Sequence, residues 1–168
     1  MFDILYLHFS GAVIMTKEVF IVAAENATNQ NYRDFSKSLQ EAAILEIWDL
    51  EKVEDNADDL EGDDYSEKLE GRLDNASALV FVSSKQLVEF LDKDTIMESH
   101  RGYITRNMTK STNKALKKLY KSGDVKVIAV SFDEDIHLGK TFKKFAATFP
   151  NVKPNDRSSM NPIIQELS

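Results

Sequence analysis

The stretch "KEVFIVAAENATNQNYRDFSKSLQ", Lys17 to Gln40, decides the fold. Its first part, from Glu18 to Ala24, is a nearly continuous apolar run, which is typical of a strand covered on both faces in a parallel sheet. After a polar turn, in which Asn26 or Thr28 is expected to cap the helix, apolar residues recur three and four positions apart. These residues are Tyr32, Phe35, Leu39 and Ala42 or Ala43. A strand followed by a turn and a helix indicates an α/β domain.

The same alternation of strand and helix continues along the chain. Further strands are predicted at Ala43–Leu50, nearer an edge of the sheet, at Ser77–Ser84 and at Asp124–Phe132. Val152 and Lys153 are the candidates for a short fifth strand. The pattern predicts a flavodoxin-like α/β fold, with a parallel sheet of about five strands and helices on both faces.

Two further helices and an amphipathic segment complete this prediction. A helix near Tyr65 has the buried stripe Tyr65, Leu69, Leu73 and Ala76. The last helix is expected to have a serine or asparagine cap and Pro162 in its first turn, where proline is tolerated. Between them an amphipathic segment contains Phe142, Phe145, Ala146 and Phe149.

Length and composition indicate one globular domain. The 168 residues suffice for one α/β core and are too few for two domains of ordinary size. We expect the domain at residues 17–168, after an extension at residues 1–16 that is too short for a membrane span and lacks a basic signal region. The extension is interpreted as an added strand or helix, the stub of a longer leader, or a cloning remnant.

Charge and cysteine content limit the classes of partner. The formal charge of −7 argues against general nucleic-acid or acidic-lipid binding, although it permits a local basic face. The chain has no cysteine, which excludes disulfides, thiolate metal sites and a cysteine nucleophile, and which is compatible with the cytoplasm.

The sequence shows no complete cofactor or metal motif. The turn after the first strand lacks the glycines that a dinucleotide needs, and Gly139-Lys140-Thr141 imitates a phosphate loop but has Glu134 where a glycine is required. The third strand ends in serines rather than the acids of a phosphoacceptor. His8, His100 and His137 lie in separate segments. We therefore predict no cofactor and no metal.

Trp48 is the only tryptophan, and we interpret it as a core residue. A tryptophan at a sheet edge can also anchor a partner.

Two oppositely charged segments are the most unusual feature. Eight of the fourteen residues from Glu51 to Asp64 are acidic, which predicts an exposed loop, and the segment from Ser99 to Gly123 contains no acid. A solvated face is the simplest interpretation, but opposite patches on one molecule also favour head-to-tail association. The candidate interaction residues are Arg101, Arg106, Lys110, Lys114, Lys117, Lys118 and Lys121 on the basic side, and Glu54, Asp55, Asp58, Asp59 and Glu61 on the acidic side.

Four short motifs carry a resemblance to a known family: "KEVFIVAAEN", "WDLEKVE", "LDNASALVFVSSKQ" and "HRGYITRNM". Together they resemble the SEFIR domain, a TIR-related domain of interleukin-17 receptor tails and of their cytoplasmic adaptor. Val19-Phe20-Ile21, Asp49 and Val80 to Ser84 match the family pattern, and the run from His100 to Met108 looks most like the adaptor subgroup. The chain departs from the pattern at Ala23-Ala24-Glu25, where the family has a tyrosine-serine pair.

The resemblance implies a non-enzymatic signalling module in the cytoplasm. SEFIR domains associate with one another and recruit the adaptor to activated receptors in innate immunity. The family's association surfaces correspond here to residues 101–121 and 51–64, so we expect receptor tails, adaptor or further copies as partners. Reversing Lys114, Lys117 and Lys118 to glutamate is expected to weaken binding, and binding is expected to fall as salt rises.

An enzyme is the alternative. Some TIR domains cleave NAD with a glutamate on the helix after the third strand, and Glu98 is the one acid placed near that position.

Overall fold

Five parallel strands form one sheet among the residues that the computed structural model describes, which are 16–24, 29–42, 44–56, 63–93 and 110–168. The strand order is β2-β1-β3-β4-β5, and each neighbouring pair is parallel. This order confirms the predicted flavodoxin-like α/β fold with β2 at an edge. The strands are β1 (Lys17–Val22), β2 (Leu45–Asp49), β3 (Ala78–Val82), β4 (Lys126–Val130) and β5 (Ala147–Phe149).

Helices cover both faces of the sheet. The described residues form α1 (Gln30–Gln40), α2 (Leu50–Asp55), α3 (Asp63–Asn75), α4 (Lys85–Lys93), α5 (Lys110–Ser122) and α6 (Arg157–Leu167). Side chains of α1 and α6 pack in one buried cluster, and those of α2, α3, α4 and α5 pack in the other. The sheet therefore separates two cores.

The central strands are apolar on both sides because both sides are covered. In β1, Phe20 and Val22 belong to one core, whereas Val19 and Ile21 belong to the other. The same alternation holds in β3, where Phe81 faces the core of α2 to α5. Successive side chains of a strand point to opposite faces, so a run without polar residues is what two cores require.

The acidic segment is not entirely a loop, which corrects the prediction from charge. Leu50–Asp55 is a helix, and α3 begins at Asp63. Leu50 and Val53 are buried against the core, and the carboxylate of Asp49 accepts the N–H of Lys52 at 2.8 Å at the start of α2. Apolar burial and a capping carboxylate outweigh local charge repulsion here.

Both predicted helix caps were wrong in position or residue. Asn29, not Asn26 or Thr28, caps α1, because its side-chain oxygen accepts the N–H of Tyr32 at 3.2 Å. Asp156, not a serine or asparagine, caps α6. The hydroxyl and the N–H of Ser158 both donate to its carboxylate, and these bonds lower the pKa of Asp156.

Pro162 lies inside α6 rather than in its first turn, because the helix begins at Arg157. The proline is exposed, while Met160, Ile163 and Leu167 are buried against the sheet. Burial of this apolar stripe maintains the helix despite the donor that proline removes.

The fifth strand is Ala147–Phe149, so its placement at Val152 and Lys153 was wrong. Val152 is buried in the following loop, where its N–H bonds the carbonyl of Ser131 at 2.8 Å. Of the amphipathic segment, the part from Phe142 to Ala146 is a loop in which Phe142 packs on Phe81, with ring centroids 4.7 Å apart, and Phe149 belongs to β5.

Leu116→Ala tests whether α5 is held by its buried side. Leu116 is 0% exposed, so truncation should lower the free energy of unfolding by about 2–5 kcal/mol through lost burial and a residual cavity. Leu138→Ala is the matched control, because Leu138 is 57% exposed and should change stability by no more than about 0.5 kcal/mol. Urea denaturation measures both, and equal losses would contradict this packing.

Candidate functional site

The basic side of α5 is opposite its buried side. Lys114, Lys118 and Lys121 are exposed, whereas Thr112 and Leu116 are buried. Spacings of three and four residues place these lysines on one face of the helix. Gly123, in the left-handed conformation at φ 73°, ends α5 after Ser122. Three of the predicted basic interaction residues therefore lie on one exposed face of a helix that is anchored by its buried side.

Not all predicted interaction residues can be placed. Lys117 is half-buried and has interactions of its own, and Asp55 is exposed at the end of α2. Lys110 begins α5 and Glu54 lies in α2. The remaining candidates, Arg101, Arg106, Asp58, Asp59 and Glu61, lie outside the described residues, as does Glu98.

A groove of about 220 Å³ between α3 and α5 places opposite charges side by side. Glu70 and Asp74 of α3 and Asp124 line it together with Lys118. The charge of Lys118 is thus partly balanced within its own chain. Sequence analysis did not single out the exposed acids of α3, although their helical spacing from Glu67 to Asp74 is visible in the sequence.

The segment that imitates a phosphate loop binds a carboxylate of its own chain. The N–H groups of Lys140 and Thr141 donate to the carboxylate of Asp92 in α4, at 2.7 and 3.1 Å. A Cβ on Gly139 would lie 3.0 Å from an oxygen of Asp92, so a larger residue there would push the Asp92 side chain by a few tenths of an ångström. In this structure the backbone amides therefore position the segment against α4.

The other end of this segment is held by α5. The hydroxyl of Tyr120 accepts the N–H of Lys144 at 3.0 Å and donates to its carbonyl at 3.1 Å. The ring of Tyr120 also packs on Phe142, with centroids 4.7 Å apart. Lys140, Lys143 and Lys144 are all exposed. Sequence analysis did not assign these lysines to a surface; the pair Lys143-Lys144 between Phe142 and Phe145 was the available signal.

A polar cleft lies where the strand order reverses. It has a volume of about 340 Å³ at the carboxyl ends of β1 and β3, which is where open α/β sheets bind ligands. Asn29, Lys85, Asp133 and His137 are among its lining residues. The turn at residues 25–28 is outside the described residues, so the absence of a phosphate cradle stays a prediction.

The two serines after β3 are used structurally. The N–H of His137 donates to the hydroxyl of Ser83 at 2.7 Å, and this hydroxyl lies 3.2 Å from the carbonyl of His137. The hydroxyl of Ser84 accepts the N–H of Leu87 at 3.1 Å at the start of α4. His8 and His100 lie outside the described residues. The described residues contain no cluster of potential metal ligands.

Trp48 is a core residue, as predicted, with 8% of its surface exposed. The cations of Lys52 and Arg72 lie 4.2 and 3.8 Å from the ring. Lys52 also donates to the carbonyl of Ile47 on the edge strand at 2.8 Å. A charged side chain thus occupies a backbone acceptor of β2, which disfavours pairing with a further strand there.

Comparison with known proteins gave no relative. No family model matches the chain, and neither a curated protein nor a solved structure matches it. Within the described ranges no helix is both long and apolar enough to cross a membrane.

Asp92→Ala tests the attachment of the segment to α4. Loss of the carboxylate leaves the amides of Lys140 and Thr141 without their acceptor and should lower the free energy of unfolding by about 1–3 kcal/mol. Asp135→Ala, at an exposed position of the same loop, is the control and should be nearly neutral. Thermal unfolding measures both, and a neutral Asp92→Ala would show that these bonds do not hold the segment.

Proposed function

We propose that this chain is a cytoplasmic signalling module of the SEFIR type, which associates with other SEFIR domains and recruits an adaptor to interleukin-17-type receptors. The observation that carries the proposal is the position of the α5 lysines. One side of α5 is fixed in the core by Leu116, and the other presents Lys114 and Lys121 to solvent. A rigid helix with an exposed row of like charges is suited to an acidic partner.

The SEFIR-like motifs support the fold rather than the contact surface. Val19, Phe20 and Ile21 are buried in β1. Asp49 accepts the hydroxyl of Tyr32 at 2.6 Å and so joins β2 to α1. These motif residues therefore support the fold that the resemblance implies. We assign association to the charged helix faces instead.

The contribution of each lysine should differ. Lys118 borders the acidic groove of its own chain, and Lys117 is half-buried with interactions of its own. Lys114 and Lys121 are exposed and have no ion pair with any described residue. An incoming acid gains most from cations that are not already balanced, so we place the strongest contacts at Lys114 and Lys121.

The double variant Lys114→Glu and Lys121→Glu should weaken binding to SEFIR-containing receptor tails or adaptor by about tenfold or more, because it replaces attraction by repulsion. The fold should persist, since both side chains are exposed. Isothermal titration calorimetry at low and at high salt measures the effect, and the wild-type affinity should fall as salt rises.

Lys37→Glu with Lys153→Glu is the matched control, with the same change in charge. Lys37 belongs to α1 and Lys153 precedes α6, on the other face of the sheet, and both are exposed. The control should bind like the wild type. Equal binding by both double variants would remove α5 from the interface.

NAD cleavage remains the second candidate because of one observation, the cleft at the carboxyl ends of β1 and β3. If the chain is an interaction module, purified protein should release no nicotinamide from NAD above background. Release that disappears in Glu98→Ala would establish the enzyme instead, because a general acid or base must reach the reacting bond.

A further inference from the structure

We propose that α5 and the segment Gly139–Phe145 form one composite basic surface, which docks on the acidic α3 side of a second copy of this chain. The inference rests on the proposed association function and names its surface and partner. Its basic members are exposed and form no ion pair with any described residue: Lys114, Lys118, Lys121, Lys140, Lys143 and Lys144.

The segment Gly139–Phe145 is fixed at three points. The carboxylate of Asp92 accepts the N–H groups at the start of the segment, and Phe142 is buried against Phe81. At the other end, Tyr120 makes two hydrogen bonds to the backbone of Lys144. The backbone of Lys144 therefore lies at the hydroxyl of Tyr120, a residue of the last turn of α5. A segment that is ordered before binding has less conformational entropy to lose when a partner docks.

The acids and the lysines lie at different ends of one face. From the β2 edge of the sheet the elements on this face are α2, which contacts β2, then α3, which contacts β1 and packs on α5. The segment Gly139–Phe145 lies further along, since Phe142 packs on β3 and the N–H of Ala146 bonds Val127 of β4 at 2.7 Å. Exposed acids cluster on α2 and α3, nearer the β2 edge: Asp55, Glu67, Glu70 and Asp74.

Charge complementarity points to a second copy as the partner. Lys118 of α5 borders the acidic groove within one molecule, whereas Tyr120 of the same helix does not line that groove and instead bonds the backbone of Lys144. Translating a second copy along the sheet brings its acidic α3 side against the composite basic surface. Such a contact is heterologous, so it leaves one basic and one acidic surface open at the ends and permits further addition.

Complementary charge reversals test this arrangement. Lys143→Glu with Lys144→Glu reverses two of the six lysines of the basic surface, and Glu67→Lys with Glu70→Lys reverses two of the four acids of the acidic one. Sedimentation velocity is measured at ionic strengths of about 0.01 M and about 1 M, where charges act over about 30 Å and about 3 Å. We expect concentration-dependent assembly of the wild type at low salt alone and a monomer for each variant. An equimolar mixture of the two variants should assemble again, because the surface that each variant retains complements the retained surface of the other, and the two reversed surfaces also complement each other.

Tyr120→Phe separates positioning from charge. It keeps every lysine and the ring that packs on Phe142, but it removes both hydrogen bonds to the backbone of Lys144. Self-association should weaken by about threefold to tenfold while circular dichroism stays unchanged. Lys37→Glu with Lys153→Glu should assemble like the wild type.

Each failure has a distinct meaning. A wild type that stays monomeric at low salt overturns the second copy as partner, as does a mixture of variants that stays monomeric. If that monomer still binds SEFIR-containing tails through Lys114 and Lys121, the proposed function stands and this inference fails. Assembly that survives Lys143→Glu with Lys144→Glu also overturns it.

Discussion

Burial of the three central strands on both faces is the constraint on which the structure depends. Each of β1, β3 and β4 pairs with a parallel neighbour on both sides, so their side chains must be covered by helices above and below. α5 meets this demand with Leu116, which is fully buried. The opposite side of the same helix, with Lys114 and Lys121, must then face solvent. The basic face is a consequence of how the core is covered.

Several charged groups on both faces of the sheet have partners. On the face of α1 and α6, Lys126 pairs with Glu166 at 3.2 Å, and on the face of α3, Arg72 pairs with Glu18 at 3.3 Å. Six exposed lysines have no such pair with any described residue: Lys114, Lys118, Lys121, Lys140, Lys143 and Lys144. Exposed pairs contribute little to stability, but unpaired like charges collected on a rigid surface favour an oppositely charged partner. These unpaired lysines support the proposed interaction surface on the face of α2 to α5.

The sequence was sufficient for β1 to β4 because long apolar runs such as Glu18–Ala24 have few structural alternatives, but it did not locate the three-residue β5. It was insufficient for the second part of the basic surface, which depends on tertiary contacts. Asp92 is 48 residues from Lys140, and Tyr120 is 24 residues from Lys144. No local sequence pattern shows that a carboxylate accepts the N–H groups after Gly139. Nor does one show that a tyrosine hydroxyl bonds the backbone of Lys144. The charge pattern of the sequence indicated the lysines of α5 but not those of Gly139–Phe145, because only folding brings the two groups together.

Amide hydrogen exchange tests most directly whether this face is an association surface. Dilute and concentrated protein are compared at about 0.01 M ionic strength, and the comparison is repeated at about 1 M. The account predicts slower exchange at high concentration in α3, in the last turn of α5 and in Gly139–Phe145, with the difference lost at high salt. Protection confined to α1 and α6, or no concentration dependence at either ionic strength, would contradict it.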